Sequence, residues 1–211
     1  MTKKEVTVNP INTKTVTITI VGDSDLILNK MNDINKRMLI DKQKNKSKTV
    51  KETNEWEAII TAMHWRDGTP TDYSEKGLYD ALKNNAPCIT TFGLKKSFEE
   101  AIVRLNIDKN STKFRNSVNV IAPKGLVPIN FAQYTKVEKI ITTKGGKGSP
   151  ILAIQNMFSG WSASFEIQFV DGGEYSLEQL LQIIAIAGFG GGIGSGRTSG
   201  YGRYHMVGVS A

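Results

Sequence analysis

Alternation of apolar and polar residues along the chain predicts a set of β-strands. Every residue from 16 to 21 is β-branched, which is typical of a strand. From residue 161 to 170, Trp161, Phe165 and other apolar residues alternate with polar ones, and this period of two predicts a strand with one buried face. Further strands are predicted at residues 117–121, 126–129, 136–142 and 201–209, and the apolar run 26–28 either continues the first strand or opens a turn.

Helical periodicity accounts for three other segments. Residues 55–65 place Trp56, Ile59, Ile60 and Met63 at i, i+3, i+4 and i+7, which indicates an amphipathic helix. A second helix is predicted over residues 94–105. Ser176 and Gln179 have the spacing of a capping box, which predicts the start of a third helix. We expect Gly188 to end that helix.

The order of these elements predicts the fold. Strand, helix, strands, helix and strand follow one another, which is the ferredoxin-like plan of the α+β class: an antiparallel sheet with two helices on one face. The length of 211 residues fits one domain, 1–211, with a large basic insertion at about residues 30–85. Its segment 42–54 is polar and predicted to be mobile. Because the insertion also holds Trp56, Ile59 and Ile60, we expect it to reach a neighbouring copy in a homo-oligomer.

The composition limits the class of protein and the cellular compartment that we expect. Cys88 is the single cysteine, so an internal disulfide is excluded and a reducing compartment is favoured. The residue follows Pro87 in an apolar run and is predicted to be in the core. The N-terminus has no signal-peptide pattern, and no apolar run approaches the roughly 20 residues that span a bilayer. We therefore expect a cytoplasmic protein with no membrane partner.

Positive charge is concentrated in one segment. The formal net charge is +7, and residues 30–51 alone hold eight basic against two acidic residues. Lys144 and Lys147 add a second basic stretch in a glycine-rich tip. Such a distribution attracts polyanions, and phosphate contacts from lysine and arginine favour a nucleic-acid partner. A solvated basic arm is the other interpretation of this segment.

The C-terminal region contains a glycine-rich loop. Eight of the fifteen residues from Gly188 to Gly202 are glycine. Glycines let peptide N–H groups approach a ligand closely, so this loop is a candidate anion cradle, with Arg197 and Arg203 as charged contacts. A flexible connector is the alternative. The segment 191–198 resembles a P-loop, but a predicted helix precedes it and a strand follows it, the reverse of what a P-loop requires. An NTPase is therefore rejected.

These patterns give a set of candidate binding residues. The residues predicted to bind nucleic acid or phosphate are Gly190, Gly191, Gly192, Gly194, Gly196, Arg197, Arg203, Lys144, Lys147, Arg37, Lys42 and Lys44. Tyr201 and Tyr204 are the candidate residues for stacking on bases. Neither a metal site nor a cofactor is predicted, because no cluster of residues has ligand spacing.

The glycine loop with its embedded arginines, set between a helix and a last strand, resembles the RAMP superfamily. These RRM-like proteins form the backbones of CRISPR effector complexes and include endoribonucleases. The segments 161–165, 188–194 and 200–204 are more closely similar to a phage and prophage family of unassigned function. The resemblance is weakest in residues 30–85. It implies an RRM-like or RAMP-like fold and a nucleic-acid or nucleotide ligand, and a phage protein would lie in the cytoplasm of its host.

Three functions follow from these observations. The first is a non-enzymatic protein that binds single-stranded RNA or DNA. The second is a protein that captures a small nucleotide, such as a cyclic oligonucleotide used in antiviral defence. The third is a metal-independent endoribonuclease of RAMP type, for which His64 and His205, the only histidines, are the candidate acids or bases. Each histidine has a structural role as its alternative.

Overall fold

The computed structural model describes residues 10–44, 54–104, 106–142 and 150–210. The strands are β1 (Thr13–Gly22), β2 (Leu26–Leu28), β3 (His64–Trp65), β4 (Pro87–Thr90), β5 (Val118–Ile121), β6 (Leu126–Asn130), β7 (Gln133–Thr142), β8 (Pro150–Ser159), β9 (Ser162–Val170) and β10 (Tyr204–Ser210). The helices are α1 (Asp33–Gln43), α2 (Glu55–Thr61), α3 (Glu75–Asn84), α4 (Thr91–Arg104), α5 (Thr112–Ser117) and α6 (Leu177–Ile186). The fold is thus α+β, as predicted, and β3, β4, β8, α3 and α5 are elements that the sequence patterns did not indicate.

The larger sheet is built around β1 and β9. Antiparallel pairing joins β1 to β10 on one side and to β9 on the other. β9 pairs with both β5 and β6 along its far edge, and β6 leads on to β4 and β3. The register sets Ile18 opposite Phe165, so the apolar faces of the two predicted strands coincide. Phe98 of α4 covers that face, with its ring centroid 6.1 Å from that of Phe165.

A smaller sheet of order β2-β8-β7 joins the insertion to the rest of the molecule. Asn156 on β8 is buried, and its amide donates to the carbonyl of Ile59 in α2 at 3.2 Å. Ile59 and Ile60 are buried in the core, and Trp56 packs against it. The expectation that these three side chains reach a neighbouring copy is therefore wrong. Their burial against β8 removes apolar area from water within the same chain.

The start of α6 agrees with the prediction and its end does not. Ser176 and Gln179 form the capping box. Beyond Ile186 the chain continues through a π-helical turn, Ala187–Gly191, so Gly188 does not end the helix. Position 188 within this turn requires glycine, because a Cβ there would overlap the carbonyl oxygen of Tyr204. Close packing against β10, not helix termination, is the reason for this glycine.

Across the described ranges, none of the helices combines the length and the apolar character that crossing a membrane requires.

Candidate functional site

The glycine-rich loop, residues 188–202, packs closely against its own chain. Gly192, Gly194, Gly196, Gly200 and Gly202 all have positive φ, a conformation that side chains disfavour. A Cβ on Gly194 would lie 2.5 Å from the carbonyl oxygen of Ile27, and one on Gly202 would overlap the carbonyl of Ile193. The glycines therefore let the loop approach β2 and cross over itself.

The backbone donors of this loop are largely used within the protein. The amide of Gly192 donates to the Ala187 carbonyl at 2.7 Å, and that of Ser195 donates to the Ile27 carbonyl at 2.8 Å. The amide of Gly202 donates to the Asp25 carbonyl at 2.8 Å. These donors are satisfied and do not face a ligand. The glycines thus shape a rigid wall, and the charge needed for an anion site has to come from side chains.

Arg197 and Arg203 were predicted to bind an anion at the loop, and their surroundings differ. Arg197 makes a bidentate pair with Glu100 of α4, at 2.9 Å and 3.4 Å. Arg203 donates to the carbonyl of Arg197 at 3.4 Å, and its Nη1 is buried with no hydrogen-bond partner among the described residues. Arg203 therefore lies beneath the loop, whereas Arg197 lines a cleft beside it.

That cleft has a volume of about 260 Å³ and three walls. The first is the N-terminal part of α4, and the second is the loop segment from Ile193 to Ser195. The third combines the end of β2 with the α2–β3 junction, and β4 adjoins it. The loop wall is fixed in place because Ser195 forms a β-bridge with Ile27 of β2. Tertiary structure thus brings together residues from distant parts of the sequence.

Helix α4 presents two faces here. Phe92, Lys96 and Glu100 are spaced four residues apart, so they lie on one face of the helix. Phe92 and Lys96 line the cleft, and Glu100 holds Arg197 at its edge. On the neighbouring face, the Ser97 hydroxyl donates to the carbonyl of Gly192 at 2.8 Å. One helix thus positions both the loop and the side chains that face the open space.

The third wall carries Lys30 and His64. The amide of Lys30 donates to the Ala62 carbonyl at 2.8 Å, which joins the end of β2 to the α2–β3 junction. Partial burial lowers the pKa of His64 below its usual value, and the nearby charges of Lys30 and Lys36 lower it further. The pKa of Lys30 is lowered as well, first by burial and then by Lys36. Removal from water and like charge both disfavour additional positive charge here.

The lining of the cleft is electropositive. Lys30, Lys96 and Arg197 supply three cations, and no carboxylate of the described residues lines the space. Lys96 also contacts Glu99 at 3.5 Å, but that carboxylate is shared with Arg115. Phe92 is 77% exposed at the same cleft, although it is a large apolar side chain. Clustered cations beside an exposed aromatic ring provide binding groups for a phosphate and for a base.

Several predicted site residues lie elsewhere. Arg37 is paired with Glu57 at 2.6 Å, while Lys42 and Lys44 are exposed at the end of α1. Lys144 and Lys147 lie outside the described residues, as does most of the segment 42–54.

The two candidate stacking tyrosines are not open to a base as predicted. Tyr204 is 1% exposed and packs against Trp161, with a centroid distance of 6.3 Å, so the prediction that it stacks on bases is wrong. Its place on the buried face of the sheet explains the error. Tyr201 is partly buried, and a Cβ on Gly196 would lie 2.9 Å from its ring. The loop therefore covers part of the ring of Tyr201.

The two histidines occupy different places. His64 lines the cleft, whereas His205 on β10 contacts Asp23 at 2.6 Å and is absent from the cleft lining. Within the described ranges, no three His, Cys, Asp or Glu side chains are grouped as a metal would need. Burial raises the pKa of the Cys88 thiol, which also lines the cleft, to about 11, so the thiol stays protonated near neutral pH.

Sequence reasoning missed Phe92 and Lys96. Their spacing on α4 is four residues, but an aromatic residue and a lysine at that spacing are common on solvated helices. Only the position of α4 beside the loop makes this pair a candidate site.

Comparison with known proteins gives a structural likeness. No protein-family model matches the sequence, and no curated protein sequence matches it. Among solved structures, a chain in the cryo-EM structure of the Type III-B Cmr-beta bound to cognate target RNA aligns with a TM-score of 0.53 and 12% identity. The alignment covers 94% of this chain and 60% of that chain. The likeness shows a shared fold. The resemblance to phage proteins stays a prediction.

Proposed function

We propose that this protein binds single-stranded nucleic acid, RNA foremost, without cleaving it, at the cleft beside the glycine-rich loop. The observation that carries the proposal is the lining of that cleft: Lys30 and Lys96, a third cation, Arg197, that is paired with Glu100 at the edge, no carboxylate among the described lining residues, and the exposed ring of Phe92. Cations neutralise backbone phosphates, and an aromatic face accepts any base. Single strands expose the bases that such a ring needs.

The fold supports this proposal. The strands β10, β1, β9 and β5 lie side by side and antiparallel, and α4 and α6 pack on the same core. We assign this arrangement to the ferredoxin-like, RAMP-like plan, with the insertion and the smaller sheet as additions. The structural likeness to a chain of an RNA-bound Cmr complex agrees with the assignment.

Capture of a cyclic oligonucleotide is less well supported. Pockets for drug-sized ligands range from roughly 300 to 1,000 Å³, and a cyclic oligonucleotide contains at least two nucleotides. The cleft, at about 260 Å³, is smaller than this range. A rise in melting temperature with cyclic di- or trinucleotides, but none with linear RNA, would reverse the ranking.

An endoribonuclease is a second candidate because His64 lines the cleft. Its lowered pKa leaves the imidazole neutral at pH 7, as a general base must be. Labelled RNA that is cut by the wild type, cut equally by His205→Ala and left intact by His64→Ala would establish this activity. RNA that stays intact after long incubation with the wild type would support binding alone.

The proposal is tested by fluorescence anisotropy with single-stranded RNA and DNA over a range of salt concentrations. We expect Lys30→Gln/Lys96→Gln to lower the affinity and, by losing two phosphate contacts, to reduce the slope of log K against log salt by about 1.4. Lys76→Gln/Lys83→Gln is the matched control, since both lysines are exposed on α3 and the net charge changes equally. Equal losses in the two variants would contradict the cleft as the binding site, and no binding at low salt would contradict the function.

Assembly into a homo-oligomer forms part of the proposal, although the insertion does not support it. Strand β10 is the outermost strand of the described sheet, and Val207 and Val209 on it are exposed. Unpaired edge strands can add a strand from another chain. Light scattering across a hundredfold concentration range should show a mass that grows with concentration and with added RNA. A constant monomer mass would contradict assembly.

A further inference from the structure

We propose that the cleft holds one nucleotide of the bound strand, with its phosphate between Lys30 and Lys96 and its base stacked on Phe92. This inference rests on the proposed function and specifies that the cleft recognises one nucleotide of the strand. The ligand class is a nucleoside monophosphate, free or within a chain.

The cleft is small. Its volume of about 260 Å³ lies just below the range of drug-sized pockets, so it cannot enclose two stacked nucleotides, and at most one nucleotide of a strand can enter. A longer strand would therefore enter with a single residue and continue across the surface outside the cleft.

The binding groups on α4 have the spacing of one nucleotide. Phe92 and Lys96 are one helical turn apart on the same face, and such pairs have Cβ atoms about 5–6 Å apart. A base and its own phosphate are separated by one sugar, so a single nucleotide can contact both side chains. Lys30 lines another wall of the same cleft, and we assign it as a second cation for this phosphate.

The walls of the cleft are held in place by contacts within the protein. The β-bridge between Ile27 and Ser195 and the hydrogen bond from Ser97 to Gly192 hold the loop wall against β2 and α4. Binding one nucleotide then requires the ordering of Lys30, Lys96 and Phe92 but no loop rearrangement, which limits the entropic cost.

The chain provides a matched control for the aromatic contact. Phe189 is 86% exposed in the π-helical turn, and it does not line the cleft. Replacement of Phe92 or Phe189 by alanine removes an exposed ring in both cases, so the two variants should fold equally well. Only the loss of Phe92 should affect a nucleotide in the cleft.

The test uses the full chain, titrated with UMP, AMP, uridine and inorganic phosphate and followed by amide chemical shifts. We expect AMP and UMP to shift the amides of Phe92, Gly194 and Ser195 and to bind more tightly than phosphate or uridine. Phe92→Ala should lower the affinity for AMP about fivefold or more and bring it to that of phosphate, while Phe189→Ala leaves it unchanged.

Other outcomes separate this inference from the proposed function. RNA binding that depends on Lys30 and Lys96, with no shift of cleft amides by AMP or UMP, would overturn the one-nucleotide site and leave nucleic-acid binding intact. Equal losses from Phe92→Ala and Phe189→Ala would also overturn it. Binding of AMP without any binding of RNA would contradict the proposed function and leave a nucleotide pocket.

Discussion

The glycine-rich loop and the N-terminal part of α4 form two walls of one cleft, yet they contribute in opposite ways. The loop is conspicuous in the sequence, but its amides at Gly192, Ser195 and Gly202 bond within the protein. Helix α4 has no motif, but it supplies Phe92 and Lys96, whose side chains face the open space. The loop therefore determines the shape of the cleft, and α4 together with Lys30 determines its chemistry.

This difference shows what a cluster of glycines indicates. Absence of a side chain allows close approach, but the approaching group can be a ligand or the protein's own backbone. Here the carbonyls of Ile27, Ile193 and Tyr204 occupy the space beside Gly194, Gly202 and Gly188. Glycine content alone does not distinguish these two cases.

The largest effect we predict is the loss of stability in Gly202→Ala. Its Cβ would overlap the Ile193 carbonyl, and φ at this position is 70°. Overpacking and a left-handed conformation together should cost about 3 kcal/mol, which lowers the melting temperature by roughly 6–12 °C in a chain of this size.

Two glycines of the same loop serve as controls for that variant. Gly200 has positive φ, but a Cβ there would meet nothing within 4 Å, so Gly200→Ala should cost only about 1 kcal/mol. Gly190 has neither constraint, and Gly190→Ala should change the stability by less than about 0.5 kcal/mol. Thermal unfolding of the three variants tests the order. A stable Gly202→Ala that has lost RNA binding would show instead that the glycines contact the ligand.

The sequence predicted the elements whose pattern is local. The alternation in β9 and the capping box of α6 are visible within ten residues, and both are confirmed. Helix α3 was missed, although Ser74 caps it and Leu78 and Ala81 are buried, because its apolar positions are few. Strand β8 follows a glycine-rich tip, and its pairing with β2 and β7 depends on residues far away in the chain.

The candidate site was predictable only in part. Arg197 was predicted as a site residue because it lies in the glycine-rich loop. His64 was noted as one of two histidines, and Lys30 as one end of a basic segment. These residues lie near Lys96 because the insertion folds back onto the rest of the chain, which places the α2–β3 junction beside β4. No local pattern contains this information, because the contacts join residues more than twenty positions apart.

A second prediction concerns the link between the two walls. Ser97 is 1% exposed, and its hydroxyl donates to the Gly192 carbonyl. Ser97→Ala leaves this buried acceptor without its donor, which should cost about 1–2 kcal/mol in denaturant unfolding. Ser111→Ala is a more exposed control and should cost less. If Ser97→Ala changes neither stability nor RNA affinity, the loop is held by its backbone contacts alone.

A third prediction concerns the neutralisation of the Arg197 charge by Glu100. The bidentate pair neutralises the only cation that the loop contributes to the cleft. Glu100→Gln removes the negative charge, so Arg197 becomes available to phosphate, and we expect the affinity for RNA at low salt to rise about threefold. Glu75→Gln, at the exposed start of α3, changes the net charge equally and should have little effect. A fall in affinity would show that Glu100 has to hold Arg197 in position for binding.

The smallest effect we predict is a dependence of RNA affinity on pH through His64. Burial, together with the charges of Lys30 and Lys36, holds the pKa of His64 in the free protein below its usual value. Lys96 and Arg197 face the same space, and the Cys88 thiol stays neutral there. A bound phosphate would favour the imidazolium form, so binding should take up a proton, and the affinity should rise as the pH falls from 7.5 to 5.5. In the same interval the free protein should lose stability, because its unfolded state accepts the proton more readily than the folded state does.

Fluorescence anisotropy at constant ionic strength measures this pH dependence. The RNA affinity should rise about two- to threefold in the wild type and in His205→Gln, and should not rise in His64→Gln. A rise that persists in His64→Gln and disappears in His205→Gln would move the bound phosphate from the cleft to β10.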